Sequence, residues 1–193
     1  MSKKSVYVFL FDGFSDWELG YVMPELRKSR LYDLKTFSFD GNSIVSMGGF
    51  SIQPDISMGR VDISDMAMLI LPGGDAWEEH ALGKIVPLVQ QVNGANIPIA
   101  AICGATVIIA DMGFLNDIAH TSNAREYLKA VAPAYKGENN YSESRAVNQA
   151  NIITASGIAP IEFAREIFKE LKLYEDQAIE SWYQLFRNGI WIG

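Results

Sequence analysis

Three short segments carry residue types that could do chemistry together: Ile99-Ala-Ala-Ile-Cys103-Gly-Ala-Thr106, Leu71-Pro-Gly-Gly-Asp75 and Asp12-Gly-Phe-Ser-Asp-Trp-Glu18. Cys103 is the centre of the argument, and it is the only cysteine in the 193 residues. A lone cysteine in an apolar context ordinarily behaves as a small buried hydrophobe. This one closes an apolar run and is followed by the small residues Gly104 and Ala105. A sharp strand–nucleophile–helix turn needs such neighbours, because the nucleophile sits on strained backbone and must project outward. A helix starting just after the cysteine would also favour a thiolate through its partial positive charge. On these residues alone, the reactive and the inert thiol both remain open.

Gly73-Gly74 reads first as a tight turn after a strand. The functional alternative is that bare backbone lets an amide N–H point at a developing oxyanion, partnered by the N–H of Gly104. Glu18, in the first turn of a helix, is ordinarily a solvated charge favoured by the helix dipole. Tucked beneath Cys103 in protonated form, it would instead donate a hydrogen bond to the thiolate and lower the thiol pKa. Asp16 is the second candidate for that part, with Glu18 preferred.

The elements that must position these residues follow from the apolar pattern. Val6–Phe11, Leu34–Phe39, Ala67–Leu71, Ile97–Ile102 and Ile152–Ala155 read as strands, several of them continuous apolar runs of the kind buried on both faces. Helices are expected over Ser15–Arg30, Trp77–Asn93, Val107–Met112, Ala124–Val131, Pro160–Leu171 and Tyr174–Asn188. Ser15 and Glu18 would form a capping box for the first, with a kink or break at Pro24. Residues 43–60, around Gly48-Gly49, suggest a small antiparallel hairpin, whereas 135–151 is polar and holds short strands or a loop. Strand–helix alternation of this kind predicts a mostly parallel sheet with helices on both faces, in one doubly wound α/β domain. The expected domain is 1–193, with a core over about 5–172 and a C-terminal helix over about 174–188. Ligands of such sheets bind beyond the carboxyl ends of the strands, so Glu18, Gly73, Gly74 and Cys103 would share one edge.

Composition narrows the partners. Lys plus Arg is 16 against 23 for Asp plus Glu, a net charge of −7, which argues against nucleic acid. No apolar run approaches the roughly 20 residues of a spanning helix, so no membrane partner is expected. Basic residues precede the first apolar stretch, but without a small-residue cleavage site it reads as a strand and not a signal peptide. A cytoplasmic protein is expected. Two histidines leave little for a zinc site, and His80 reads as a solvated surface residue. Gly73-Gly74 lacks the Lys-Ser/Thr of a phosphate loop, so neither metal nor cofactor is expected. Trp182, Tyr183, Phe186 and Trp191 read as helix-packing residues, or as a subunit contact if they form an exposed patch.

Taken together, Leu10-Phe-Asp-Gly-Phe-Ser-Asp-Trp-Glu18, Leu69-Ile-Leu-Pro-Gly-Gly-Asp75, Ala100-Ala-Ile-Cys-Gly-Ala105 and Gly113-Phe-Leu-Asn116 resemble the ThiJ/PfpI family of the class I glutamine amidotransferase-like superfamily. The resemblance runs from Val6 to about Leu171. It implies a flavodoxin-like three-layer α/β/α sandwich with a nucleophile-elbow cysteine at Cys103. It further implies that Glu18 is the acid contacting that cysteine, with amides near Gly74 and Gly104 as an oxyanion hole. Members are described as peptidases, amidases, glyoxalases or deglycases, chaperones and oxidative-stress sensors, so the family fixes fold better than substrate. Dimers are common among them, and a homodimer is expected here.

Two departures bear on mechanism. Peptidase-like members place a histidine directly after the nucleophile, where this chain has Gly104. Other members carry a Thr-Ser/Thr-His/Tyr segment further on; the matching residues are Thr121-Ser122-Asn123, so Asn123 takes the ring position. His120 is the only histidine near this segment and is a candidate base, the alternative being a polar residue satisfied locally. Alternation sets His120 and Ser122 on one side and Thr121 and Asn123 on the other, so Asn123 facing the cysteine turns His120 away. The first expectation is a cysteine-dependent hydrolase, amidase or deglycase-like enzyme acting on a small amide, peptide or reactive aldehyde. The second is a non-enzymatic stress sensor using an oxidisable Cys103, and the third a scaffold that only binds a partner.

Overall fold

The computed structural model describes residues 3–191. In chain order the strands are β1 (Ser5–Phe9), β2 (Asp33–Ser38), β3 (Ile44–Val45), β4 (Ser51–Ile52), β5 (Ile56–Ser57), β6 (Met66–Leu71), β7 (Ile99–Ile102), β8 (Ala146–Gln149) and β9 (Ile152–Ala155). The α-helices are α1 (Val22–Ser29), α2 (Val86–Gly94), α3 (Ala105–Asp111), α4 (Arg125–Val131), α5 (Pro160–Glu170) and α6 (Asp176–Asn188). Seven strands form one sheet in the order β5-β2-β1-β6-β7-β9-β8. All its pairings are parallel except that of β8 with β9.

Every residue of β1, β7 and β9 is buried, which is possible only if helices cover both faces of the sheet. On one side α5 packs against α1 and α6, while α3 packs against β7 and α4. This is the flavodoxin-like α/β/α arrangement. The chain moves outward from β1 to β2 in one direction and from β6 to β7 in the other, so the switch point lies between β1 and β6. Loops leaving the carboxyl ends of these strands open a crevice there. Among the described residues no helix is long and apolar enough to cross a membrane.

Two expected helices are broken. The first divides into a 3-10 turn, Asp16–Leu19, and α1. The capping box does not form: Ser15 makes no side-chain cap, and the Glu18 carboxyl turns to another strand end. Pro24 sits in the first turn of α1, where a missing N–H leaves no intrahelical bond unmade, so the break falls before the proline. The second divides into 3-10 turns at Asp75–Trp77 and Gly83–Ile85 followed by α2. Its interruption is at His80, whose φ of 54° no helix accommodates.

The expected hairpin is β3–β4, antiparallel and shorter than the 43–60 segment, because β5 leaves it to join the edge of the main sheet. It is fastened by Asp16, whose carboxylate accepts from Ser46 Oγ at 2.5 Å and from the Gly48 amide at 2.7 Å. Val45, Met47 and Phe50 remain exposed on it.

Candidate active site

Three strand ends meet at Cys103. The residue stands between β7 and α3 with φ 58°, a left-handed conformation that costs a non-glycine residue of order 1 kcal/mol or more. The surrounding bonds hold it there. Its amide donates to Ala155 O at 2.9 Å, and its carbonyl accepts from Thr106 Oγ1 at 2.6 Å and Thr106 N at 3.1 Å. The strained turn throws a partly exposed thiol into the crevice.

Glu18 is fully buried. Its Oε2 accepts from the Gly73 amide at 2.6 Å, while Oε1 has no hydrogen-bond partner among the described residues. A Cβ at Gly73 would lie 2.6 Å from Cys103 Cβ and 2.8 and 2.9 Å from the two carboxyl oxygens. Carboxyl and thiol therefore face each other across a space that exists because residue 73 has no side chain. Burial pushes the Glu18 carboxyl up to about 7, against the pull of the Gly73 amide. Burial and the Glu18 charge push the Cys103 thiol up to about 11, and bonds from Asn123 and the Gly104 amide only partly offset this. Of the two thiol states the sequence leaves open, desolvation and a neighbouring carboxylate favour the protonated one, against the pull of the following helix.

Asn123 completes the thiol's surroundings. Its Nδ2 donates to Sγ at 3.3 Å, and its Oδ1 accepts from the Gly157 amide at 2.9 Å. His120 turns the other way, as the alternation argument requires. It is fully buried, with Nδ1 bonded to Ile118 O at 2.8 Å and Nε2 to Tyr135 Oη at 2.6 Å. Desolvation lowers its pKa, so it is a neutral imidazole used locally, not a partner of Cys103.

Asp16 is likewise absent from the thiol, because its Oδ2 is held by the hairpin. Gly73 does not supply an oxyanion donor, since its amide is spent on Glu18. The Gly74 amide has no acceptor among the described residues, and that of Gly104 lies at the thiol, so these two N–H groups can receive a developing negative charge. At residue 104 a Cβ would meet Gly74 O at 2.8 Å, which leaves no room for an imidazole. His80 is exposed and lies 3.7 Å from Asp111, away from the thiol. Among the described residues no group of three His, Cys, Asp or Glu is placed to hold a metal ion.

Sequence reasoning passed over Gly157. A Cβ there would lie 2.8 Å from Sγ, so this glycine makes room for the sulfur as Gly73 does for its Cβ. The signal was present, since Ser156-Gly157 closes a buried strand in the same way as the other three segments. Tyr127 and Glu78, bonded at 2.9 Å, carried no such signal because the contact joins residues far apart in the chain.

A strained cysteine at the switch point faces a buried acid, with the Gly74 amide free among the described residues and that of Gly104 at the thiol. The model of the DJ-1/PfpI family matches residues 4–170. The chain belongs to the DJ-1/PfpI family. Among DJ-1/PfpI relatives, "Uncharacterized protease YoaZ" of Bacillus subtilis is 41% identical over 192 residues, 96% of this chain and 91% of the relative. "Deglycase TK1284" of Thermococcus kodakarensis is 29% identical over 118 residues, 61% of this chain and 70% of the relative. The crystal structure of a thiJ/pfpI family protein from Bacillus anthracis superposes with a TM-score of 0.92 at 40% identity, covering 98% of this chain and 93% of that one. These DJ-1/PfpI proteins carry names of differing activities, so the chemistry of this chain must be argued from its own site.

Proposed function

We propose that this protein is a cysteine-dependent hydrolase of small reactive carbonyl compounds: α-oxoaldehydes, or their acyl adducts with amines and thiols. The observation that carries this reading is the facing pair of a strained, partly exposed Cys103 and a buried Glu18 whose pKa is raised to about 7. A general base works best when its pKa lies near the operating pH. At rest the thiol keeps its proton and Glu18 is poised to take it. As sulfur bonds to the carbonyl carbon, the proton passes to Glu18 and the C=O electron pair moves onto oxygen, which the Gly74 and Gly104 amides receive. A free α-oxoaldehyde becomes a thiohemiacetal by this step; its C1 hydrogen then moves to the adjacent ketone carbon, an internal oxidation and reduction that leaves a 2-hydroxyacyl thioester, and water hydrolyses this to the 2-hydroxy acid and frees the thiol. With an acyl adduct the tetrahedral carbon then collapses, the bond to the amine breaks, the amine leaves with the proton held by Glu18, and water hydrolyses the thioester.

The deglycase-like version is preferred to the peptidase because no imidazole reaches Cys103. The relative named a deglycase supports the reading, and the one named a protease keeps small peptide amides in the assay panel. The test is disappearance of methylglyoxal and of a panel of acyl-amine and peptide substrates, with Cys103→Ser as control. Turnover that vanishes in Cys103→Ser is the expected result; a panel without Cys103-dependent turnover refutes the reading. The alternative, a non-enzymatic protective protein with an oxidisable Cys103, requires thiolate character, which the raised thiol pKa opposes. Oxygen added to the intact mass at low equivalents of peroxide would favour that alternative.

A further inference from the structure

A cavity of about 340 Å³ lies between the 77–90 stretch and α3, and among the described residues neither Cys103 nor Glu18 lines it. Its walls are Trp77, Leu82 and Val86 on one side and Val107, Ile108 and Met112 on the other. Size and apolar lining are those of pockets that take small organic molecules. The indole wall is preformed: Trp77 is buried, its Nε1 donates to Pro72 O at 2.8 Å, and its ring meets Phe9 and Phe11 edge to face. A Cβ at Gly104 would lie 3.3 Å from the same side chain, so Trp77 stands between the cavity and the nucleophile turn. Three polar side chains, His80, Gln90 and Asp111, interrupt the apolar lining. Asp111 is partly buried and brings a negative charge, while among the described residues no lysine or arginine lines the cavity. Its Oδ1 accepts from the Ala134 amide at 3.1 Å. Its Oδ2 has no hydrogen-bond donor among the described residues, since His80 Nδ1 stands 3.7 Å away, beyond hydrogen-bond reach. His80 holds its exposed place with φ 54°, a left-handed conformation of the kind that concentrates at ligand sites.

We propose that this cavity is a second binding site, for small organic cations: primary amines whose ammonium donates to Asp111 Oδ2 and whose aromatic or branched apolar body lies against Trp77, Val107 and Met112. Charge chooses the occupant. An ammonium supplies the donor that Oδ2 lacks and stays protonated at neutral pH. A carboxylate of the same size would set a second negative charge against Asp111, and a neutral hydroxyl would offer the donor without the ion pair. The amine binds without forming a covalent bond and without touching Cys103, so the site does not depend on the hydrolase reading.

The probes are 2-phenylethylamine, 2-phenylethanol and 3-phenylpropionate, compared at low salt and pH 8, where an alkylammonium is charged and imidazole in general is not. The reporter is the Met112 methyl resonance of protein labelled with carbon-13 at the methionine methyls, assigned by its disappearance in Met112→Leu. The amine is expected to move this resonance saturably, the alcohol more weakly and the carboxylate least. Asp111→Asn keeps an oxygen for the Ala134 amide and removes the charge, so it should weaken the amine about three- to tenfold, to the level of the alcohol. Ile108→Phe, which fills the cavity, should abolish the response to all three. The order of the three probes on the wild-type protein tests the site even if a variant fails to fold. A Met112 resonance unmoved by the amine up to about 10 mM, or an amine bound no better than the alcohol, overturns the proposal. So does loss of the response once Cys103 is carbamidomethylated, which would put the amine in the crevice instead.

Discussion

Glu18→Gln should make Cys103 more reactive toward a simple alkylating agent while abolishing its turnover. The substitution preserves shape, and the amide oxygen still accepts from the Gly73 amide. What it removes is the charge that, after burial, most opposes ionisation of the thiol. Removing an adjacent like charge lowers a pKa by about one to three units. Thiolate nucleophilicity falls with pKa at a Brønsted slope of about 0.4–0.5, so roughly half of that gain survives and alkylation should quicken about 3- to 50-fold. The assay is the rate of iodoacetamide modification, followed by intact mass from pH 5 to 9. The ratio of variant to wild type should be largest above pH 7 and approach one as pH falls through about 7, where wild-type Glu18 itself becomes neutral. Stability should follow the same sign. Because the folded pKa is raised from 4.5 to about 7, the folded state binds the extra proton between these values; wild type loses stability as pH rises from 4.5 to 7 and levels off above. At pH 8 the variant should therefore be the more stable, by at most ~3 kcal/mol and less by what its unpartnered buried amide N–H costs, a difference that shrinks toward pH 4.5 in urea titrations. A variant thiol that alkylates more slowly than wild type above pH 7 would refute the reasoning, for it would mean that Glu18 promotes the thiolate.

Gly73→Ala should be far more damaging than a glycine-to-alanine change in a surface turn. With its Cβ forced to 2.6 Å from Cys103 Cβ, a loss of about 1–3 kcal/mol in denaturant titration is expected, together with loss of Cys103-dependent turnover. His120→Phe should cost about 1–3 kcal/mol by removing the bonds of a buried ring to Ile118 O and Tyr135 Oη. Its pH profile for Cys103 alkylation should match wild type, and a displaced midpoint would return His120 to the site.

The sheet was legible because its strands are apolar runs closed by turn residues: Ala67–Leu71 before Pro72-Gly73-Gly74, and Ile97–Ile102 before Cys103. Pairing these ends through the switch-point rule sets Glu18, Gly73, Gly74 and Cys103 at one edge of the sheet. The failures have one physical source. Asp16 and Glu18 lie two residues apart in one 3-10 turn, and only the packing of a hairpin and of β6 decides that the first carboxylate faces Ser46 and the second Gly73. The state of the thiol is left open by the sequence for a related reason. A helix terminus and a hydrogen bond can be inferred from sequence, whereas the depth of burial that outweighs them is a property of the whole assembled crevice.

The space around Cys103 is defined by side chains that are missing at Gly73, Gly104 and Gly157, and this sets how the protein can change. Any substitution at a glycine adds at least a Cβ, and at these three positions it would meet the thiol, the acid or the neighbouring backbone at 2.6–2.8 Å. Variation at the nucleophile's walls is thereby closed off, while Asp75 and Glu78 on the following segment are exposed. A library built to alter substrate preference should leave the three glycines fixed and randomise exposed positions such as Asp75 and Glu78, so that the reacting atoms stay in register.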